Sequence, residues 1–345
     1  MLWRFGSVTL AVAIWCCFSF IALASATAQE LELTLPLDCK LGHDCFVQNY
    51  VDIDPGSEVL TAFCNRASYD GHKGTDFRVL STEKTADVVA AAPGVVRSVR
   101  SDTPDKLVLT NEDRARVQGK ECGNGVLIDH GGDWQTQYCH LRQSSVVVGA
   151  GDRVERGQKL GEVGYSGFAA FPHVHLAVRK DGVMIDPFLR TREATANRKD
   201  YCLAGDAGAI EFDGTLWQGD VAELVEDADG SIIQTGFADN RVSTLDLETE
   251  KVNEPAANSP ALVFFARLIN LQKGDRVALR LVGPTGIIAE TEGNPLDRNK
   301  AQWVAFAGRK LKIEAWPTGE YVGTATLIRN GVKILEQSER IMLGG

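Results

Sequence analysis

Between residues 61 and 190 the apolar runs are short and nearly all of them stop at glycine. "DVVAAAPGVVRSVR", "GNGVLIDHG", "WQTQYCHL", "GDRVERGQKLGEVG" and "HVHLAVRKDGVMIDP" follow one another. Each holds an apolar run of strand length, flanked by turn residues, and none carries the 3.6-residue period of an amphipathic helix. Such a region reads as short strands broken by turns. One stretch breaks the rhythm: "SDTPDKLVLTNEDRARVQGKE", residues 101–121, reads as a polar excursion between strands.

The same texture returns after residue 206. "SPALVFFARLINL", "DRVALRLVG", "QWVAFAGRKLKIEAW" and "GEYVGTATLIRNGVKILEQSERIML" are separated by "KGD", "PTG" and "RNG" turns, which predicts a β-sandwich of immunoglobulin type over 206–345. That region has no histidine and no catalytic constellation, so a structural or binding role is what it offers. "RTREATANRKDY" is polar and predicts a helix or linker at 191–205. Residues 29–60, with "DCKLGHDCFVQNYVDIDPG", read as an irregular segment.

The first 28 residues hold an apolar stretch behind a single charge, Arg4, and end in "ALASATAQ". Cleavage after Ala26 or Ala28 satisfies the small-residue rule for a secretory signal; the length of the apolar run leaves an uncleaved signal anchor open. Cys16-Cys17 is preceded by "AIW", which lacks the small residues of a lipid-attachment signal. Beyond this segment stand Cys39, Cys45, Cys64, Cys122, Cys139 and Cys202. An even count in an exported chain suggests disulfides, although buried thiols remain a reading for several. Cys39 and Cys45 can close a small loop, Cys122 and Cys139 flank a hairpin, and Cys64 is left for Cys202. A formal net charge of -10 argues against non-specific nucleic-acid or anionic-lipid binding, which needs a basic face. Membrane contact then depends on whether the signal stays uncleaved. The expected location is outside the cytoplasm, in the periplasm, with membrane anchoring as the variant.

Six histidines remain to be placed: His43, His72, His130, His140, His173 and His175. In "FPHVHLAVR" the strand period of two sets His173 and His175 on one face, with Val174, Leu176 and Val178 on the other. Alone, this pair is what any strand with a solvated face can show. In "GHKGTDF", His72 and Asp76 would stand about 13 Å apart on a flat strand, too far for one metal, unless Gly71 and Gly74 allow a bend. Together with His140 of "QYCHL", the three segments supply three His/Asp ligands and spare imidazoles, the inventory of a catalytic zinc site.

"GHKGTDF", "YCHL" and "PHVHLAVR", in that order, resemble the three motifs of the lysostaphin-type zinc metallopeptidases, which cut peptide bonds in bacterial peptidoglycan. "VVAAAPGVVRSV", "GNGVLIDHGGDWQTQYCHL" and "GDRVERGQKLGEVGYSG" resemble the connecting text of that family. The likeness covers roughly residues 60–190. It implies a mainly β fold: an antiparallel lysostaphin-like (duplicated hybrid motif) domain, 61–190, ahead of the sandwich. It implies Zn²⁺ held by His72, Asp76 and His175, with His140 and His173 beside it as non-ligating catalytic residues. It implies hydrolysis of peptidoglycan stem peptides or cross-bridges by zinc-activated water. Departures are the length of 101–121, "GFAAFP" in place of a shorter turn, and Cys139 where a small residue is usual.

Two other readings stay open at this point. One is a non-catalytic module that binds peptidoglycan or activates an amidase, against which the complete ligand set argues. The other is a zinc peptidase acting on a secreted protein. The sandwich lies outside the resemblance, and binding of cell wall or a protein partner stays open for it. His130 is expected in the hairpin turn. Residues 29–55 offer a further device, in which His43 or Asn49 folds over the groove and makes the enzyme latent.

Overall fold

The computed structural model describes residues 30–203, 214–219 and 230–344, together with Met1 and Val221. The expected signal segment, apart from Met1, lies outside the described residues, and no helix among them is long and apolar enough to cross a membrane. Every strand among the described residues lies within Leu31–Gly345.

The first half is sheet. Its elements are β1 (Leu37–Asp38), β2 (Cys45–Asn49), β3 (Thr75–Val79), β4 (Asp87–Val89), β5 (Gly94–Arg100), α1 (Asn111–Val117), β6 (Asn124–Gly131), β7 (Trp134–Leu141), β8 (Arg153–Val154), β9 (Lys159–Glu162), β10 (His173–Lys180) and β11 (Val183–Ile185). One large sheet runs β2-β3-β10-β7-β6-β5-β8, with β11 paired to β10; a small one runs β1-β4-β9. Every ladder within them is antiparallel. Strand β10 shows why. Val174, Leu176 and Val178 are at most 1% exposed and join Phe77, Ile128 and Tyr138 in the core, while His173 and His175 take the opposite face.

Two segments differ from the sequence reading. Residues 29–60 are not simply irregular: β2 is an edge strand paired with β3, and all five of its residues are buried. Cys45 and Val47 enter the main core, and Phe46 packs on the other side against Ile233 and Ile269. A strand buried on both faces shows no alternation to read. Within the excursion 101–121, α1 carries a capping box in which Thr110 and Asp113 exchange side-chain-to-backbone bonds. Its one buried residue is Val117, so no apolar stripe announces it.

Helix α2 (Arg192–Leu203) follows, where a helix or linker was expected. The second half comprises β12 (Ser231–Ala238), α3 (Thr244–Glu248), β13 (Ala261–Leu271), β14 (Arg276–Gly283), β15 (Gly286–Glu292), β16 (Lys300–Lys310), β17 (Gly319–Arg329) and β18 (Val332–Leu343). Sheets β12-β13-β16 and β15-β14-β17-β18 form the two layers of a sandwich. The Tyr321 hydroxyl donates to the Pro317 carbonyl at 2.6 Å, the tyrosine corner of immunoglobulin-type sandwiches. Ten of the eleven residues of β13 are buried. Leu262, Phe264, Ala266 and Leu268 face the sandwich core, Val263 and Phe265 face Leu247 of α3, and Ile269 meets Phe46 of β2.

Disulfides join Cys39 to Cys45, Cys64 to Cys202 and Cys122 to Cys139, the pairing argued from spacing above. Below β11, Asp186 is fully buried. Its Oδ1 accepts from the Phe188 amide at 2.8 Å and its Oδ2 has no partner. Burial pushes this carboxyl up to about 7, against the Phe188 bond. Its folded value lies above that of an unfolded aspartate, so stability is fully present below about pH 4 and is lost as pH rises through 7. Asp186→Asn is therefore expected to stabilise the protein at pH 8 by up to about 4 kcal/mol and leave it unchanged near pH 4. Denaturant melts at the two pH values measure this, and equal effects at both would refute it.

Candidate metal centre and active site

Asp76 lies in β3 and His175 in β10, directly opposite one another in the ladder. His72 comes from the turn before β3. The glycines bend that turn: Gly71 has φ +72°, and at Gly74 a Cβ would stand 2.5 Å from His175 Nε2 and 2.7 Å from the Leu176 carbonyl oxygen. Only glycine lets the turn pass that close to β10. The bend brings together three groups that a flat strand would hold apart. His72 Nε2 and His175 Nδ1 are 3.1 Å apart, His72 Nε2 and Asp76 Oδ1 3.1 Å, and His175 Nδ1 and Asp76 Oδ1 2.8 Å.

The partners outside this triangle orient it. His72 Nδ1 donates to the Tyr50 carbonyl at 2.7 Å, which leaves Nε2 as the free lone pair in the neutral ring. Asn49 Nδ2 donates to Asp76 Oδ2 at 2.7 Å, leaving Oδ1 for the centre. Two ring nitrogens and a carboxylate oxygen so close repel one another unless a proton or cation lies among them. Burial, the largest single effect, lowers His72, but the charge and hydrogen bond of Asp76, the Tyr50 carbonyl and the charge of Asp52 together outweigh it and the net shift is upward. Burial likewise raises Asp76, and the surrounding imidazoles, His72 first, overcome it and hold the carboxyl well below its usual range. Two imidazoles and a carboxylate are the donor set that zinc takes at catalytic sites, and the cluster fits it. An expected result follows for the outer partner. Asn49→Ala should weaken zinc binding about 10- to 100-fold, read by competition with a chelating dye; unchanged affinity would remove Asn49 from the site.

His140 and His173 stand beside the triangle. Their ring centroids are 4.6 Å apart, and His173 Nε2 is 3.7 Å from Asp76 Oδ1. Each has its Nδ1 tied to a carbonyl, His140 to Ser166 at 2.8 Å and His173 to Phe171 at 2.8 Å. Nε2 is thus the free atom of both. Burial, then the neighbouring His173 and His175, hold His140 well below the ordinary histidine value; burial lowers His173 too, against the pull of Asp76. Both rings are neutral at pH 7 and able to accept a proton. His140 has φ +66°, a left-handed conformation that costs a non-glycine residue about 1–3 kcal/mol and concentrates at functional sites. Its amide donates to the Cys122 carbonyl at 2.8 Å, and Cys122 is bonded to the adjacent Cys139. The disulfide thus secures the backbone that aims His140.

The five residues singled out from sequence converge. His130 does not join them: it bonds Pro93 and Thr136, each at 2.7 Å, and braces the hairpin. His43 is exposed in the Cys39–Cys45 loop. Asn49 reaches the site as a donor to Asp76 rather than as a cover over it. The backbone carbonyls of Tyr50, Ser166 and Phe171 set the tautomers, and no sequence signal marks them.

Residues 70–187 match the model of peptidase family M23. Over 116 residues the chain is 30% identical to an uncharacterized metalloprotease of Haemophilus influenzae, covering 34% of this chain and 20% of that protein. Over 53 residues it is 43% identical to peptidoglycan DD-endopeptidase ShyA of Vibrio cholerae, covering 15% of this chain and 12% of that protein. The chain thus spans at most a fifth of either curated relative. A solved catalytic domain of the prophage-encoded M23 protein EnpA from Enterococcus faecalis is 26% identical, covers 40% of this chain and 85% of its own, and has a TM-score of 0.28. The segment that matches peptidase family M23, residues 70–187, carries His72, Asp76, His140, His173 and His175.

Proposed function

We propose that this chain is an exported zinc endopeptidase that hydrolyses peptide bonds in peptidoglycan cross-links. The observation that carries this reading is the convergence of His72, Asp76 and His175 within 3.1 Å of one another, with two neutral imidazoles alongside. His72 Nε2, Asp76 Oδ1 and His175 Nδ1 would hold the metal. Zinc bound there supplies a Lewis acid for activating water and polarising the scissile carbonyl. The chain's own residues do the proton work. His140 or His173 takes the proton of the attacking water on its free Nε2 and passes it to the leaving amine. The other hydrogen-bonds the oxygen that gains charge.

Support for the substrate comes from the relative named as a peptidoglycan DD-endopeptidase, which favours direct cross-links between stem peptides. Three disulfides and the signal-like first 28 residues support an oxidising compartment, the periplasm. The test uses purified protein loaded with Zn²⁺ and isolated peptidoglycan, with products read by mass spectrometry. Cleavage abolished by a chelator and restored by zinc is expected. Binding without chelator-sensitive cleavage would replace the enzyme by a wall-binding module.

A further inference from the structure

The sandwich packs against the sheet at β2 and β3, on the face of Phe46 and Arg78. Arg78 lies two residues beyond Asp76 on β3, hence on the same face, and it is 0% exposed. Its guanidinium Nη2 donates to both carboxylate oxygens of Glu248 in α3, at 3.1 and 2.9 Å, and its Nη1 donates to Gln302 of β16 at 2.9 Å. Glu248 also pairs with Arg267 of β13, and its carbonyl accepts from the Thr82 amide at 2.7 Å. Both arginines and the glutamate are buried. The peptidase sheet thus draws the counter-charge of a buried arginine from the other half of the chain.

From Arg78 the contacts lead to the active site. Arg78 is directly opposite His173 in the β3–β10 ladder. Its guanidinium carbon lies 4.9 Å from the centre of the Phe171 ring. That ring lies 4.4 Å from the His173 imidazole, tilted 30°, and the Phe171 carbonyl is the group that accepts from His173 Nδ1. A planar guanidinium held at Nη2 by both oxygens of a carboxylate and at Nη1 by Gln48 and Gln302 offers a fixed surface for an aromatic ring. An imidazole displaced by about 1 Å from its reacting position can cost about 100-fold in rate.

We propose that Glu248 of the sandwich is a positioning residue for His173, acting through Arg78 and the Phe171 ring. The sandwich then completes the active site instead of serving only as a tether. This rests on the peptidase reading above, and His173 is the residue it acts on.

The test uses full-length, zinc-loaded protein. Glu248→Asp keeps the charge that both arginines need and draws the carboxylate back by one methylene. It is expected to lower kcat about 10- to 100-fold, with KM, bound zinc and fold unchanged, and to shift the His173 ring resonance in NMR, assigned by its loss in His173→Gln. Phe171→Leu is expected to do the same, and Phe171→Tyr, which keeps the ring, to restore both readouts. The Glu248→Asp, Phe171→Leu double variant should be no slower than the slower single variant, as for two links of one chain. Losses that multiply, or a wild-type His173 resonance in folded Glu248→Asp, would overturn the proposal. A wild-type protein that cleaves no peptidoglycan defeats the peptidase reading alone, because the resonance still reports on the contact chain.

Discussion

His140→Ala and His173→Ala are expected to retain zinc and lose activity, whereas His72→Ala, Asp76→Ala and His175→Ala are expected to lose the metal itself. The division follows from which atom each residue offers. His72 Nε2, Asp76 Oδ1 and His175 Nδ1 meet within 3.1 Å, and removing any one leaves two donors, too few for tight binding. His140 and His173 send no atom into that triangle; their free Nε2 atoms stand beside it. Proton transfer by a positioned side chain is worth about 10²–10⁴-fold, and each of these two variants should fall by that amount. Zinc per protein by atomic absorption and cleavage of purified muropeptides check both halves. Wild-type turnover in His140→Ala or His173→Ala removes that residue from the mechanism, and stoichiometric zinc in His72→Ala breaks the ligand set.

Glu248→Ala is the substitution expected to unfold the protein most readily. It leaves Arg78 and Arg267, both 0% exposed, without their shared counter-charge. Already in the intact triad burial and the nearby Arg78 draw Arg267 down to about 9. Breaking a buried pair from one side costs about 3–5 kcal/mol, a fall in melting temperature of about 10 °C for a chain of this size. The loss comes from stranded charge, so it should largely vanish when Arg78 and Arg267 are both replaced by Met. Thermal melts of the single and triple variants decide this. A Glu248→Ala protein within about 0.5 kcal/mol of wild type would mean that water already reaches the triad.

What the sequence made legible depended on range. The strand period of two was enough to put His173 and His175 on one face, and glycines around His72 and Asp76 were enough to suspect a bend. Cysteine spacing was enough for two short disulfides, and the third followed by remainder. Nothing local marks Arg78, Glu248 and Arg267 as a unit. Charges 170 residues apart read as solvated until folding removes the water. Strand β2 escaped notice because burial on both faces erases alternation, and the left-handed His140 because its strain is imposed by the Cys122–Cys139 staple and the Ser166 carbonyl.

The disulfide pattern has a consequence for how the chain is made. After Cys16 and Cys17, cysteines emerge in the order 39, 45, 64, 122, 139, 202, and an oxidant acting on a chain as it appears joins neighbours. Cys39–Cys45 is such a pair, but Cys64–Cys202 encloses Cys122–Cys139. Joining neighbours in order of appearance would link Cys64 to Cys122 and strand Cys139 with Cys202, pulling His140 from its place. The native pattern needs Cys64 to wait 138 residues for its partner, or a thiol–disulfide exchange to undo the early bond. Where exchange is the route taken, maturation of this protein waits on disulfide isomerisation, on a timescale of about seconds to hours.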